Sequence, residues 1–100
     1  MANTHGYNLS ERVIRDIIRF AGERNVDRVI LFGSRARGTN AERSDVDIAV
    51  SGGDFEGFYE DIKEKIHSLL MFDIVDLDHG ISGELKREIE RDGKLLYEKA

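Results

Sequence analysis

The chain contains neither cysteine nor proline. Without cysteine there is no disulfide framework and no thiolate metal site, which is compatible with a reducing compartment. Without proline no helix is interrupted by one. No apolar run approaches the ~20 residues of a membrane span. The segment from Met1 to Asn8 has no basic start and no apolar stretch, so a secretory signal is not expected. Internal repeats, low-complexity runs and linkers are missing too; Gly52-Gly53 is the only glycine pair. A formal net charge of -5 argues against a protein that coats nucleic acid by charge alone. It still leaves room for a local basic cluster at Arg35, Arg37 and Arg43. These absences point to one cytoplasmic domain over residues 1–100, without membrane contact and without strong nucleic-acid binding.

What is present is a clear alternation of periodicities. Leu9, Val13, Ile14, Ile17, Ile18 and Ala21 recur at helical spacing, and Asn8 with Glu11 resembles a capping box, so a first helix is expected from about Leu9 to Arg24. Val29-Ile30-Leu31-Phe32 reads as a buried strand ending at Gly33. Asp45 to Val50 reads as a second strand. Phe55, Phe58, Tyr59, Ile62, Ile66, Leu69 and Leu70 predict a second long helix, with the aromatic residues in the core. Phe72 to Leu77 is a third strand; Leu85 and Ile89 mark a last helix that Asp92-Gly93 stops. Leu95, Leu96 and Tyr97 are expected to dock the tail on the core. A helix between the second and third strands is a crossover, which makes those strands parallel. The short span from Gly33 to Ser44 makes the first two strands antiparallel. The expected fold is α/β (α+β): a small mixed sheet with helices on one face.

That topology places chemistry at one edge. Neighbouring parallel strands start at the same end, and an antiparallel neighbour finishes there. Asp45, Asp47 and Asp73 are therefore expected to meet Gly33 and Ser34. Asp45 and Asp47 share a strand face roughly 6.6 Å apart along the chain. Packing Phe72 and Ile74 inward turns Asp73 toward them, and turns Asp76 away unless a one-residue bulge intervenes. At ~5 Å and an effective dielectric of about 20, each carboxylate pair repels by about 3 kcal/mol. The carboxylates must take up protons or hold a cation. An all-oxygen set suits Mg²⁺ or Mn²⁺, and two such ions can clamp an in-line displacement at phosphorus. Gly33-Ser34 opens a short turn or helix, Arg35-Ala36-Arg37-Gly38. Glycine permits close approach to a phosphate, the Ser34 hydroxyl adds a donor, and Arg35 or Arg37 can take a phosphate in a forked contact. Which arginine faces in is left open.

Each piece alone is common; the conjunction is specific. Gly33-Ser34, ten intervening residues and Asp45-Val46-Asp47, with Phe72-Asp73-Ile74 further on, resemble the signature of the polymerase-beta nucleotidyltransferase superfamily. The resemblance runs from about Val29 to the C-terminus, including Gly93 and Leu96-Tyr97. The small size resembles the minimal nucleotidyltransferases, which are often paired with a HEPN-domain protein as an antitoxin–toxin couple. This likeness implies Gly33 and Ser34 on the triphosphate, both metals on Asp45 and Asp47, and Asp73 helping to bind the catalytic metal and activate the attacking hydroxyl. It further implies an ATP donor, and AMP transfer to a tyrosine of the toxin that silences its RNase. Two alternatives stand beside it. One is transfer to a small molecule such as an aminoglycoside, or to RNA, with a separate acceptor-binding subunit. The other is an antitoxin acting by contact that keeps the fold for nucleotide sensing.

The remaining polar residues suggest less. His5, His67 and His79 share no metal spacing, Arg43 reads equally as a loop cation, and Tyr97 reads as packing. Helical spacing does not separate a core-facing stripe from a homo-oligomer or partner interface on the first or last helix.

Overall fold

A computed structural model of the chain describes residues 8–41, 43–66 and 68–100. His5 and His67 lie outside the described residues, as does all of the N-terminal stretch before Asn8. The elements are α1 (Glu11–Glu23), β1 (Arg28–Phe32), α2 (Gly33–Arg37), β2 (Val46–Ser51), α3 (Phe55–Lys65), β3 (Phe72–Asp76), α4 (Gly83–Asp92) and β4 (Lys94–Glu98). The strands form one mixed sheet in the order β3-β2-β1-β4. β2 and β3 are parallel, whereas β1 is antiparallel to both β2 and β4. Among the described residues no helix is long and apolar enough to cross a membrane.

Alternation along the strands sorts side chains to two faces. Val29 and Leu31 of β1, Val46, Ile48 and Val50 of β2, and Phe72 and Ile74 of β3 join the main core with α1 and α3. Val13, Ile14, Ile17, Phe20 and Ala21 of α1 are buried there, while Ile18 falls off the buried arc and is exposed. Phe58 and Ile62 are the inward residues of α3. Tyr59 was expected in the core but is exposed, in a tilted contact with Phe55. At the junction of the two helices the Arg24 guanidinium forks onto Asp61 at 2.9 and 3.3 Å and reaches Asp54 at 3.2 Å. Those hydrogen bonds hold the Asp61 carboxyl below its ordinary range.

Several expectations need correction. The cap of α1 is Ser10, whose hydroxyl accepts from the Val13 amide. Asn8 lies two residues ahead of the cap position, because the helix begins at Glu11, and its main chain is bonded to Arg35 instead. α3 stops at Lys65, with Ile66 already extended. The chain must reach the starting end of β3 by Phe72, and Leu69 is 91% exposed rather than helical and buried. The tail does dock, but as a fourth strand on the free side of β1, with a register shift opposite Val29 and Ile30. Helices on one face is right for α1 and α3. α4 lies over the other face, where Ile89 packs with Phe32 and Ala49. It must do so, since Ile30, Phe32 and Ala49 otherwise meet water.

Candidate active site

The carboxylate edge forms where β1 ends and β2 and β3 begin. Phe32 is the partner of Asp47, and Asp47 is the partner of Asp73, so the last residue of β1 and the two aspartates stand in one row. The β2–β3 register runs unbroken from Val46↔Phe72 to Val50↔Asp76, so no bulge exchanges Asp73 for Asp76. Asp76 sits at the far end of β3. There it accepts from the Asp78 amide and pairs with the His79 ring.

Gly33 follows Phe32 with φ of 74°, a left-handed conformation that glycine tolerates. A Cβ on Gly33 would lie 2.4 Å from Asp47 Oδ2. The turn is therefore glycine for two reasons, its backbone angle and the carboxylate beside it. α2 starts here without a side-chain cap, and Gly38, with φ of 76°, ends it. Ser34 is half-buried, and among the described residues its hydroxyl has no hydrogen-bond partner.

The two arginines of α2 part company. Arg35 is 5% exposed, with Nε donating to the Ser44 carbonyl and Nη1 to the Asn8 carbonyl, each at 3.0 Å. It stakes the segment before β2 and the chain ahead of α1 to α2, and burial pulls its pKa down. The expected forked contact of Arg35 with phosphate does not suit this placement, because its guanidinium is committed to main-chain carbonyls. Arg37 is exposed, donates to Asp92 Oδ2 at 3.3 Å and is close enough to Asp47 to act on its charge. Two residues along a helix is about 200° of rotation, which is why one points in and the other out. Arg43 is exposed in the loop before β2.

Asp47 is the electrostatic centre. Burial first, then the charges of Asp73, Asp45 and Glu88, push its pKa up to about 6, against the opposing pull of Arg37. Asp45 and Asp73 are more exposed. Glu88 escaped the sequence reading. It belongs to no motif, and only the placement of α4 on the Asp47 face brings it near; helical spacing from Leu85 and Ile89 is the signal that could have found it. Among the described residues no three of His, Cys, Asp and Glu are grouped so as to hold one ion. The aspartates are a charge cluster and not a closed coordination shell. Their chemistry nevertheless fits a hard dication: every donor is oxygen, and around the central carboxylate burial and negative charge outweigh the one opposing cation, Arg37.

The family model described as Polymerase beta, Nucleotidyltransferase, matches residues 15–100. No curated protein matches the chain. Among solved structures, a toxin–antitoxin structure with AMP-PNP is 26% identical with a TM-score of 0.69, over 86% of this chain and 73% of that one. A mutant of a toxin–antitoxin pair, MntA-HpeT, in which two aspartates two positions apart are changed to glutamate, is also 26% identical, with a TM-score of 0.68 and the same coverage. The toxin–antitoxin pair MntA-HepT, at 21% identity, TM-score 0.65, and coverage of 90% and 74%, shows likeness of fold alone.

Proposed function

The chain belongs to the polymerase beta nucleotidyltransferase family, and on that premise we propose that it moves AMP from ATP to a hydroxyl of a partner protein, a HEPN-type toxin, in the cytoplasm. The observation that carries this reading is the setting of Asp47. It stands in register between the Gly33 turn and Asp73, and burial and like charge push its pKa up to about 6. The cluster is unfavourable by itself and becomes favourable on gaining positive charge.

In this reading Asp45 and Asp47 would hold Mg²⁺, and Asp73 would contribute the third carboxylate. The metal would supply Lewis acidity at the phosphorus and neutralise charge on the leaving group. The Gly33 backbone lets the triphosphate approach closely, the Ser34 hydroxyl donates to it, and Arg37 donates to a phosphate oxygen. Asp73 accepts the proton of the acceptor hydroxyl. The acceptor oxygen bonds to the α-phosphorus, the bond from that phosphorus to the bridging oxygen breaks, and pyrophosphate leaves. The choice of donor and acceptor rests on relatives whose structures are described as toxin–antitoxin pairs, one of them with the ATP analogue AMP-PNP.

A second reading has its own support. Relatives described as toxin–antitoxin structures, one of them with AMP-PNP, equally suit an antitoxin that senses nucleotide and blocks its partner by contact. One experiment separates the two. ATP is titrated into the full chain by calorimetry with and without Mg²⁺, using wild type and the Asp45→Asn/Asp47→Asn variant. The toxin mass is then followed after incubation with each. Transfer predicts metal-dependent binding and a toxin heavier by one AMP, both lost in the variant. An unmodified toxin that both proteins neutralise equally would leave only the contact reading.

A further inference from the structure

Arg37 is held from outside the family signature. Its Nη1 donates to Asp92 Oδ2 at 3.3 Å, and Asp92 is largely buried while Arg37 is not. Arg37 makes no other hydrogen bond or ion pair among the described residues; it is exposed, and its charge reaches Asp47. Asp92 is itself fixed. Arg91 donates to the same oxygen through Nε at 3.2 Å and Nη2 at 2.9 Å. Arg91 first and Arg37 after it keep the Asp92 carboxyl below its usual range, so it is charged at neutral pH.

The backbone around Asp92 is equally constrained. It is the last residue of α4, and Gly93 donates to the Ile89 carbonyl at 2.8 Å. A Cβ on Gly93 would lie 2.4 Å from that carbonyl oxygen and 2.7 Å from Ile30 Cγ2. The end of α4 is thus pressed onto β1, and the next residue, Lys94, enters β4 opposite Leu31. A long, flexible arginine on a five-residue helix has many rotamers open to it. A carboxylate anchored by a helix end and a strand start removes most of them.

We infer that Asp92 is a positioning residue: it holds one edge of the Arg37 guanidinium so that the other edge meets the polyphosphate of the donor nucleotide. The inference rests on the nucleotidyl-transfer reading. Asp92 touches no phosphate itself and acts only through Arg37.

The test is calorimetry on the full chain with Mg²⁺, using ATP and, separately, inorganic triphosphate. The proteins are wild type, Asp92→Asn, Asp92→Glu, Arg37→Ala and the double variant Asp92→Asn/Arg37→Ala. Thermal unfolding of each verifies the fold. Asp92→Asn and Arg37→Ala should each weaken binding of both probes about tenfold, the order of one charge-assisted hydrogen bond. Asp92→Glu should recover most of the loss. The double variant should be no weaker than the worse single one, since both remove one device. If Asp92→Asn fails to fold, Asp92→Ser, alone and combined with Arg37→Ala, takes its place in the cycle with the same expected outcomes. Unchanged binding in Asp92→Asn overturns the inference, as do additive losses. Tighter binding overturns it as well, because Asp92 would then compete with phosphate for Arg37. Wild type that binds neither probe sinks the parent reading and this one together, an outcome distinct from binding that ignores Asp92.

Discussion

Gly33 and Gly38 offer a matched pair of substitutions. Both have positive φ, 74° and 76°. An alanine in that region costs roughly 1–2 kcal/mol. For a domain of this size that lowers Tm by about 4–8 °C per kcal/mol. The two sites differ in burial, Gly33 being buried and Gly38 exposed, and in what the new methyl meets. At Gly38 nothing lies within 4 Å; at Gly33 the methyl would sit 2.4 Å from Asp47 Oδ2. To regain an ordinary contact of about 3.4 Å the oxygen must retreat by about 1 Å. Retreat costs little stability, because the obstacle is the tip of a side chain. Its chemical cost is large, because a 1 Å misplacement of a reacting group is worth on the order of 10²-fold in rate. Gly33→Ala and Gly38→Ala should therefore lose similar Tm, whereas only Gly33→Ala should lose Mg²⁺-dependent ATP binding and transfer by that order. Differential scanning fluorimetry and calorimetry on both variants decide it. Full transfer by Gly33→Ala, or an equal loss in Gly38→Ala, would refute the role given to the Gly33–Asp47 contact.

Further outcomes follow from other parts of the structure. Asp47 binds more protons folded, with its pKa pushed up to about 6, than unfolded, where its ordinary value is 3.8. Stability should therefore fall as pH rises from about 4 to about 6 and level off above. In Asp47→Asn this part of the slope should vanish and Tm at pH 7 should exceed that of wild type; identical pH–Tm curves would remove Asp47 as the charge centre. Arg35→Ala should cost roughly 2–3 kcal/mol by denaturant unfolding, leaving the Ser44 and Asn8 carbonyls unpaired. Arg35→Lys should not rescue it, since an ammonium cannot span both acceptors. Leu69→Ser should change stability by no more than about 0.5 kcal/mol; a loss of several kcal/mol would mean that α3 continues through Leu69 into the core.

The meeting of these residues at one edge was legible because strand parity and strand direction are both written in the sequence. Val46 and Ile48 facing inward fix Asp47, Phe72 and Ile74 fix Asp73, and the crossover helix fixes which ends coincide. Parity stopped helping wherever it was broken. Lys94 to Glu98 carry adjacent leucines and a register shift against β1, so no alternation marks them as a strand. Leu69 follows Ile66 at helical spacing, yet it lies in the return loop, whose course is set by where β3 must begin. Asn8 and Ser10 are both of capping type, and only the start of the helix at Glu11, with the Ser10 hydroxyl on the Val13 amide, shows which one caps. The choice between Arg35 and Arg37 needed the rotation of α2 about its axis, which Ala36 alone does not define. Glu88 and Asp92 reach the edge only through α4, an element whose apolar stripe is two residues wide and does not announce which face it covers.

The order of the strands along the chain has a consequence for how the fold closes. β1 finds β2 across short separations, with Phe32 opposite Asp47, but its other edge waits for residues about 70 positions away, with Arg28 opposite Glu98. The Gly33 turn and the row of Asp47 and Asp73 come from pairings between nearby segments. The contact that brings Asp92 to Arg37 spans 55 positions and carries the larger loop-closure cost. The acidic half of the edge is therefore closed by local chain, and its anchored cation by distant chain.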